Sequence, residues 1–82
     1  MVTAFVLITV PAKRSGAVVE ELRKHSEVKE AAAVYGETDV VVKVQAPSLP
    51  ELDKLIMENI QGSPDIKSTR TFVAVEKLHW VR

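Results

Sequence analysis

The residues best suited to hold a small charged molecule lie in two short segments, Tyr35-Gly36-Glu37-Thr38-Asp39 and Ser68-Thr69-Arg70-Thr71. A glycine turn lets backbone amides approach a carboxylate closely. The hydroxyls of Thr69 and Thr71 and the guanidinium of Arg70 add donors, and Asp39 can accept from an ammonium. Such groups suit a zwitterion. The same residues also have an ordinary reading: Gly36 makes a turn, Asp39 opens a strand, and Thr69 and Thr71 are strand formers. Composition alone leaves both readings open.

Catalysis has less to work with. The chain has no cysteine, no Gly-x-Ser-x-Gly elbow, no phosphate loop and no Gly-x-Gly-x-x-Gly. A serine or threonine nucleophile would need a histidine base, yet His25 falls at a helix end and His79 in the C-terminal tail, neither with an evident partner. Three or four clustered ligands are needed for a metal. Glu76 and His79 are three apart in extended chain and face opposite ways. Both histidines read as surface residues, and no catalytic residue, metal or cofactor is expected.

The candidate segments must be positioned by a small scaffold. Eighty-two residues are expected to make one domain, residues 1–82, and a domain of this size buries only about 60% of its unfolded surface. Without disulfide or metal, such a chain needs very good packing or a partner subunit. Val2 to Val10 is an apolar, β-branched run stopped by Pro11 and reads as a first strand. A helix follows over Ser15 to His25, with Val18, Val19 and Leu22 on one face. Val28 to Tyr35 and Asp39 to Ala46 are the second and third strands. The short Gly36-Glu37-Thr38 connection forces an antiparallel hairpin, with Gly36 supplying positive φ. Ser48-Leu49-Pro50-Glu51 has the pattern of a capping box. It opens a helix to about Gln61 whose buried stripe is Leu49, Leu52, Ile56 and Ile60, with Leu55 beside it. Gly62 suits its stop and Pro64 confirms it. Asp65 to Lys77 is a fourth strand. The tail from Leu78 to Arg82, with Trp80, has no predicted place. The order β-α-β-β-α-β points to an α+β, ferredoxin-like antiparallel sheet with both helices on one face.

The first strand puts Val2, Ala4, Val6, Ile8 and Val10 on one side and Phe5 and Leu7 between Thr3 and Thr9 on the other. The fourth is likewise apolar on both sides, with Val73 and Val75 against Phe72 and Ala74. A half-exposed antiparallel strand should alternate apolar and polar, so both faces are expected to be buried. Helices cover one, and a second subunit is the simplest cover for the other. Hiding about 700 Å² of apolar surface gains roughly 17 kcal/mol, against about 4–15 kcal/mol for association. The alternative cover for Phe5 and Leu7 is the C-terminal tail.

Equal numbers of acidic and basic residues offer no excess charge for phosphate binding. RNA-recognition modules share this element order but place stacking aromatics on the third strand, and Asp39 to Gln45 contains none. Met1 to Val10 lacks a charged leader and a cleavage site, and no run reaches membrane-spanning length. The expectation is a soluble cytoplasmic protein that touches neither nucleic acid nor membrane.

The run Tyr35-Gly36-Glu37-Thr38-Asp39-Val40-Val41-Val42-Lys43-Val44 resembles the Gly-[Asp/Glu]-x-Asp hairpin, with its following apolar strand, of the Lrp/AsnC family's ligand-binding domain. Ile66-Lys67-Ser68-Thr69-Arg70-Thr71-Phe72-Val73 resembles that family's closing strand with its Thr-x-Thr element. The likeness extends from Ala4 to Glu76. Ser63-Pro64-Asp65-Ile66 departs from a loop that more often reads Pro-Gly-Val.

The resemblance implies a dimeric α/β barrel with sheets face to face, assembly of dimers into tetramers or octamers, and effectors, usually amino acids, bound between dimers near the hairpin. Carried over, the effector site comprises Tyr35, Gly36, Glu37, Asp39, Thr69 and Thr71, drawn from different subunits. The family's regulators carry an N-terminal helix-turn-helix domain. This chain begins at its first strand, so it resembles the stand-alone versions, whose expected role is to modulate full-length Lrp/AsnC regulators rather than to bind DNA. The rival is a small dimeric α/β-barrel enzyme, a monooxygenase or isomerase, for which Tyr35 and Asp39 are the available catalytic candidates.

Overall fold

The computed structural model describes residues 1–82. Its elements are β1 (Val2–Thr9), α1 (Ser15–Leu22), β2 (Val28–Ala33), β3 (Val40–Ala46), α2 (Leu49–Leu55), a π-helical turn (Ile56–Ile60), β4 (Ser68–Val73) and a final 3-10 turn (Glu76–Leu78). All strand pairs are antiparallel, and the sheet order β2-β3-β1-β4 is consistent with the ferredoxin-like expectation.

Two central strands carry the core. Ala4, Val6, Ile8 and Val10 of the β1 segment and Val40, Val42, Val44 and Ala46 of β3 are buried. Val18 and Leu22 from α1, with Leu52, Leu55, Ile56 and Ile60 from the second helical segment, complete one apolar cluster. Period-two alternation in the strands and helical spacing in the helices put these residues on facing surfaces. No buried side-chain polar atom lacks a hydrogen-bond partner, so nothing polar opposes the packing.

Several local expectations change. Leu49 is half-exposed and drops out of the buried stripe. Ser48 makes no side-chain capping bond, so the capping box does not form, and only the Ser48 carbonyl joins the helix, accepting the first intrahelical bond from the Leu52 amide. Helix α1 ends at Leu22 rather than His25, because Lys24 and His25 donate to carbonyls only three residues back, tightening the chain into turns. The second helix widens: the Gln61 amide donates five residues back to Ile56, at 2.7 Å. Gly62 does not stop it through a left-handed conformation, since Gly36 is the glycine with positive φ. It permits close approach instead, because a Cβ there would lie 2.8 Å from the Glu58 carbonyl oxygen.

β4 is shorter than the predicted Asp65–Lys77 strand. Its pairing with β1 runs from Thr9↔Ser68 to Ala4↔Val73, and the Ala74 amide adds a bond to Thr3. Beyond that the chain leaves β1, although Val2 remains in that strand, and turns into the 3-10 turn at Glu76–Leu78. The second strand similarly ends at Ala33, although the Val34 amide still reaches the Asp39 carbonyl.

Candidate functional site

The hairpin between β2 and β3 is stapled to the end of β1. The Asp39 amide donates to the Ile8 carbonyl at 3.0 Å, and the Thr38 hydroxyl donates to the same oxygen at 2.9 Å. The Val10 amide in turn donates to Asp39 Oδ2 at 2.9 Å. Val10 lies past the last strand pair, so its amide would otherwise be orphaned near the core, at the cost of a lost hydrogen bond. One carboxylate oxygen of Asp39 therefore has a structural duty. Gly36 sits at φ +133° with open space around it, as the turn requires. Tyr35 is fully exposed, and Glu37 is exposed.

Thr69 and Thr71 stand opposite Ile8 and Val6 in the register, so they point to the helix-covered side of the sheet, on its edge strand. Thr69 is half-buried, and its hydroxyl accepts from Gln61 Nε2 at 3.2 Å. Asp39, preceding Val40 in an alternating strand, belongs to the opposite side. β4 lies beyond β1 from β3, about 10 Å away at two strand spacings. Within one copy, the six expected site residues thus form two groups: Tyr35, Gly36, Glu37 and Asp39 at the hairpin, and Thr69 and Thr71 on the far side of an edge strand.

The chain brings a different set to the hairpin. Leu7, Thr9 and Arg70 on the open face, with Glu37 and Thr38 above them, line a hollow of about 300 Å³. Arg70 is held opposite Leu7 by the register. The ion pairs of the molecule are Arg14–Asp65, Arg23–Glu20 and Lys24–Glu21, so Arg70 and Glu37 are both unpaired. A hollow with a guanidinium on one wall and a carboxylate on another can take opposite charges of one small molecule. Arg70 is a donor in the closing segment that the six expected site residues leave out. Strand parity separates it from Thr69 and Thr71, but the register that sets it beside Leu7 was not readable.

His25 and His79 are half-buried, and no group of acidic and histidine side chains is arranged to hold a metal ion. The His79 ring meets Phe5 edge-on, centroids 5.9 Å apart, so the tail does cover part of the open face. No helix is long and apolar enough to cross a membrane.

Comparison with known proteins agrees with this architecture. The chain is 32% identical over 79 residues to an uncharacterized HTH-type transcriptional regulator of Pyrococcus horikoshii, covering 96% of this chain and 50% of that protein. It thus spans about half the length of the curated relatives it matches. The crystal structure of FFRP-DM1 superposes with a TM-score of 0.89 at 45% identity, covering 92% of this chain and all of that one. Escherichia coli AsnC gives 0.88 at 26% identity, over 99% of this chain and 55% of its own. The family model for the Lrp/AsnC ligand binding domain matches residues 3–79, and the chain belongs to that family.

Proposed function

We propose that the chain is a small-molecule sensing and oligomerisation module that binds an amino acid and modulates full-length Lrp/AsnC transcriptional regulators in the cytoplasm. Two copies join open face to open face in a dimeric α/β barrel, and dimers assemble further to a tetramer or octamer. The effector sits at the hairpin. Glu37 receives its ammonium, Arg70 and the amides around Gly36 receive its carboxylate, and Tyr35, Asp39, Thr69 and Thr71 contribute where neighbouring copies meet. The observation that carries this reading is an apolar sheet face, only partly covered in one chain, that runs into a hollow whose two charged walls have no partners.

Enzyme chemistry has less support. Tyr35 projects into solvent and Asp39 holds a backbone amide, so neither is set beside a partner that would activate it. The chain's relatives are transcriptional regulators.

For a ligand of about ten non-hydrogen atoms, micromolar-to-millimolar affinity is expected, well inside the ceiling of about 1.5 kcal/mol per atom. At ten times its Kd it would stabilise the fold by about 1.4 kcal/mol, a melting shift of several degrees for a domain this small. Thermal shift against each of the twenty amino acids at millimolar concentration is the test. A response to one or a few supports sensing, and a flat response to all of them removes the effector.

A further inference from the structure

Beyond the open face, the C-terminal arm after β4 carries an apolar surface of its own. Leu78 is 84% exposed and Trp80 72%, with Val75 and Val81 also largely in water. Trp80 alone leaves roughly 180 Å² accessible. Next to the arm, where the start of β1 meets the end of β4 and the first turn of α2, lies a hollow of about 250 Å³ with Met1, Val2, Leu49, Val73 and Ala74 as its apolar lining. It would hold roughly eight waters' share of liquid, enough for one large side chain.

We infer that Trp80 of one copy seats in the Met1–Leu49–Val73 hollow of a second copy, so that two chains exchange their C-terminal arms across a twofold axis. Three observations select this occupant. The own hollow is out of reach: His79 already forms part of its wall, and the backbone there is extended, with φ −103° and ψ 118°. The next side chain, Trp80, therefore projects the other way. Each copy also offers one projecting indole and one apolar hollow, the self-complementarity a twofold contact requires. Finally, the arm and the hollow rim present on the order of 800 Å² of exposed apolar side chain, one partner's share of a standard stable interface.

In the free chain the Arg82 guanidinium lies 4.9 Å from the Trp80 ring, shielding one face of the indole and leaving the other bare. The arm lies beside Phe5 through His79 and is thus continuous with the open sheet face. Arm exchange adds to face-to-face pairing and is separable from it.

Trp80 is the only tryptophan, so its emission reports this contact without a label. Tryptophan fluorescence and light scattering are followed over one dilution series. The expected result is a blue shift on association with the same midpoint as dimer formation. Trp80→Ala should weaken the dimer on the order of thirtyfold, as loss of a central aromatic anchor does, with an unchanged far-ultraviolet circular dichroism spectrum because Trp80 is exposed in the monomer. Leu49→Asn, on the receiving side, should weaken it in the same direction. A dimer whose Trp80 emits as a solvent-exposed indole overturns arm exchange and leaves the face-to-face reading standing. A blue emission independent of concentration overturns it too, placing the ring within its own chain. A monomer at every concentration removes both.

Discussion

The two faces of the sheet are built from the same strands and have opposite characters. On the helix-covered face, Val6 and Ile8 of β1 and Val40, Val42 and Val44 of β3 are wholly buried. One residue along, Phe5, Leu7 and Val41 are only half-buried, and Phe72 is 51% exposed. The covered face holds no ionisable side chain among its buried residues. The open face mixes large apolar side chains with Lys43, Arg70 and Glu30, placed there by the register. A face meant for water would alternate apolar with polar, and one meant only for a core would exclude charge. The open face does neither, which suits a surface that meets another protein surface and a charged ligand.

Neighbouring residues of β1 give the sharpest contrast. Ile8→Ala should cost about 2–5 kcal/mol, the range for deleting a buried aliphatic side chain, at any protein concentration. Leu7→Ala should cost less, by an amount that grows with concentration as the dimer forms. Denaturant titrations at two concentrations separate them, and equal, concentration-independent losses would erase the distinction between the faces.

Phe72→Asp should leave a folded monomer, since half of the ring is already in water and a charge at the centre of an apolar interface is strongly disfavoured. Sedimentation velocity reads the outcome, and an intact dimer would show that the face is not the contact.

Asp39→Ala removes the acceptor for the Val10 amide. A hydrogen bond to a charged group contributes roughly 1.5–3 kcal/mol, so the melting temperature should fall by several degrees without any ligand. Asp39→Asn, which keeps an acceptor, should recover most of it. If both variants melt like the parent protein, the carboxylate is not an anchor.

The smallest change in stability is expected at the charged hollow. Glu37→Gln and Arg70→Gln alter exposed, unpaired side chains and should stay within about 0.5 kcal/mol of the parent. Each should nonetheless abolish the ligand-induced melting shift. A full shift in both variants would move the effector away from this hollow.

Much of the scaffold was legible because its signals are local. β1 and β3 alternate so regularly that their core residues could be named from parity alone, and Gly36 marked the turn that lets β2 and β3 pair. Signals that depended on a neighbour misled. The fourth strand had apolar, β-branched residues through Val75, yet it stops at Val73, where the chain leaves β1 for the 3-10 turn at Glu76–Leu78. Ser48 and Glu51 had the spacing of a capping box, but no side-chain capping bond forms at that terminus. Leu49 lay on the apolar stripe, but at the first position of α2 it is left half-exposed over an open hollow. The site divided the same way. Glu37 and Asp39 belong to the hairpin and could be located from it. The placement of Arg70 beside Leu7, with Thr69 and Thr71 on the reverse side, required the pairing of strands more than sixty positions apart.

The order of residues by itself determined the element order, the turn at Gly36 and one continuous apolar face, because each follows from periodicity and φ preference within a few residues. Only the tertiary structure decided the β1–β4 register, the duty of Asp39 toward Val10 and the gathering of Glu37, Thr38 and Arg70 over Leu7 and Thr9. Those depend on which distant backbone groups remain unpaired once the core has closed, a balance that no short stretch of sequence contains.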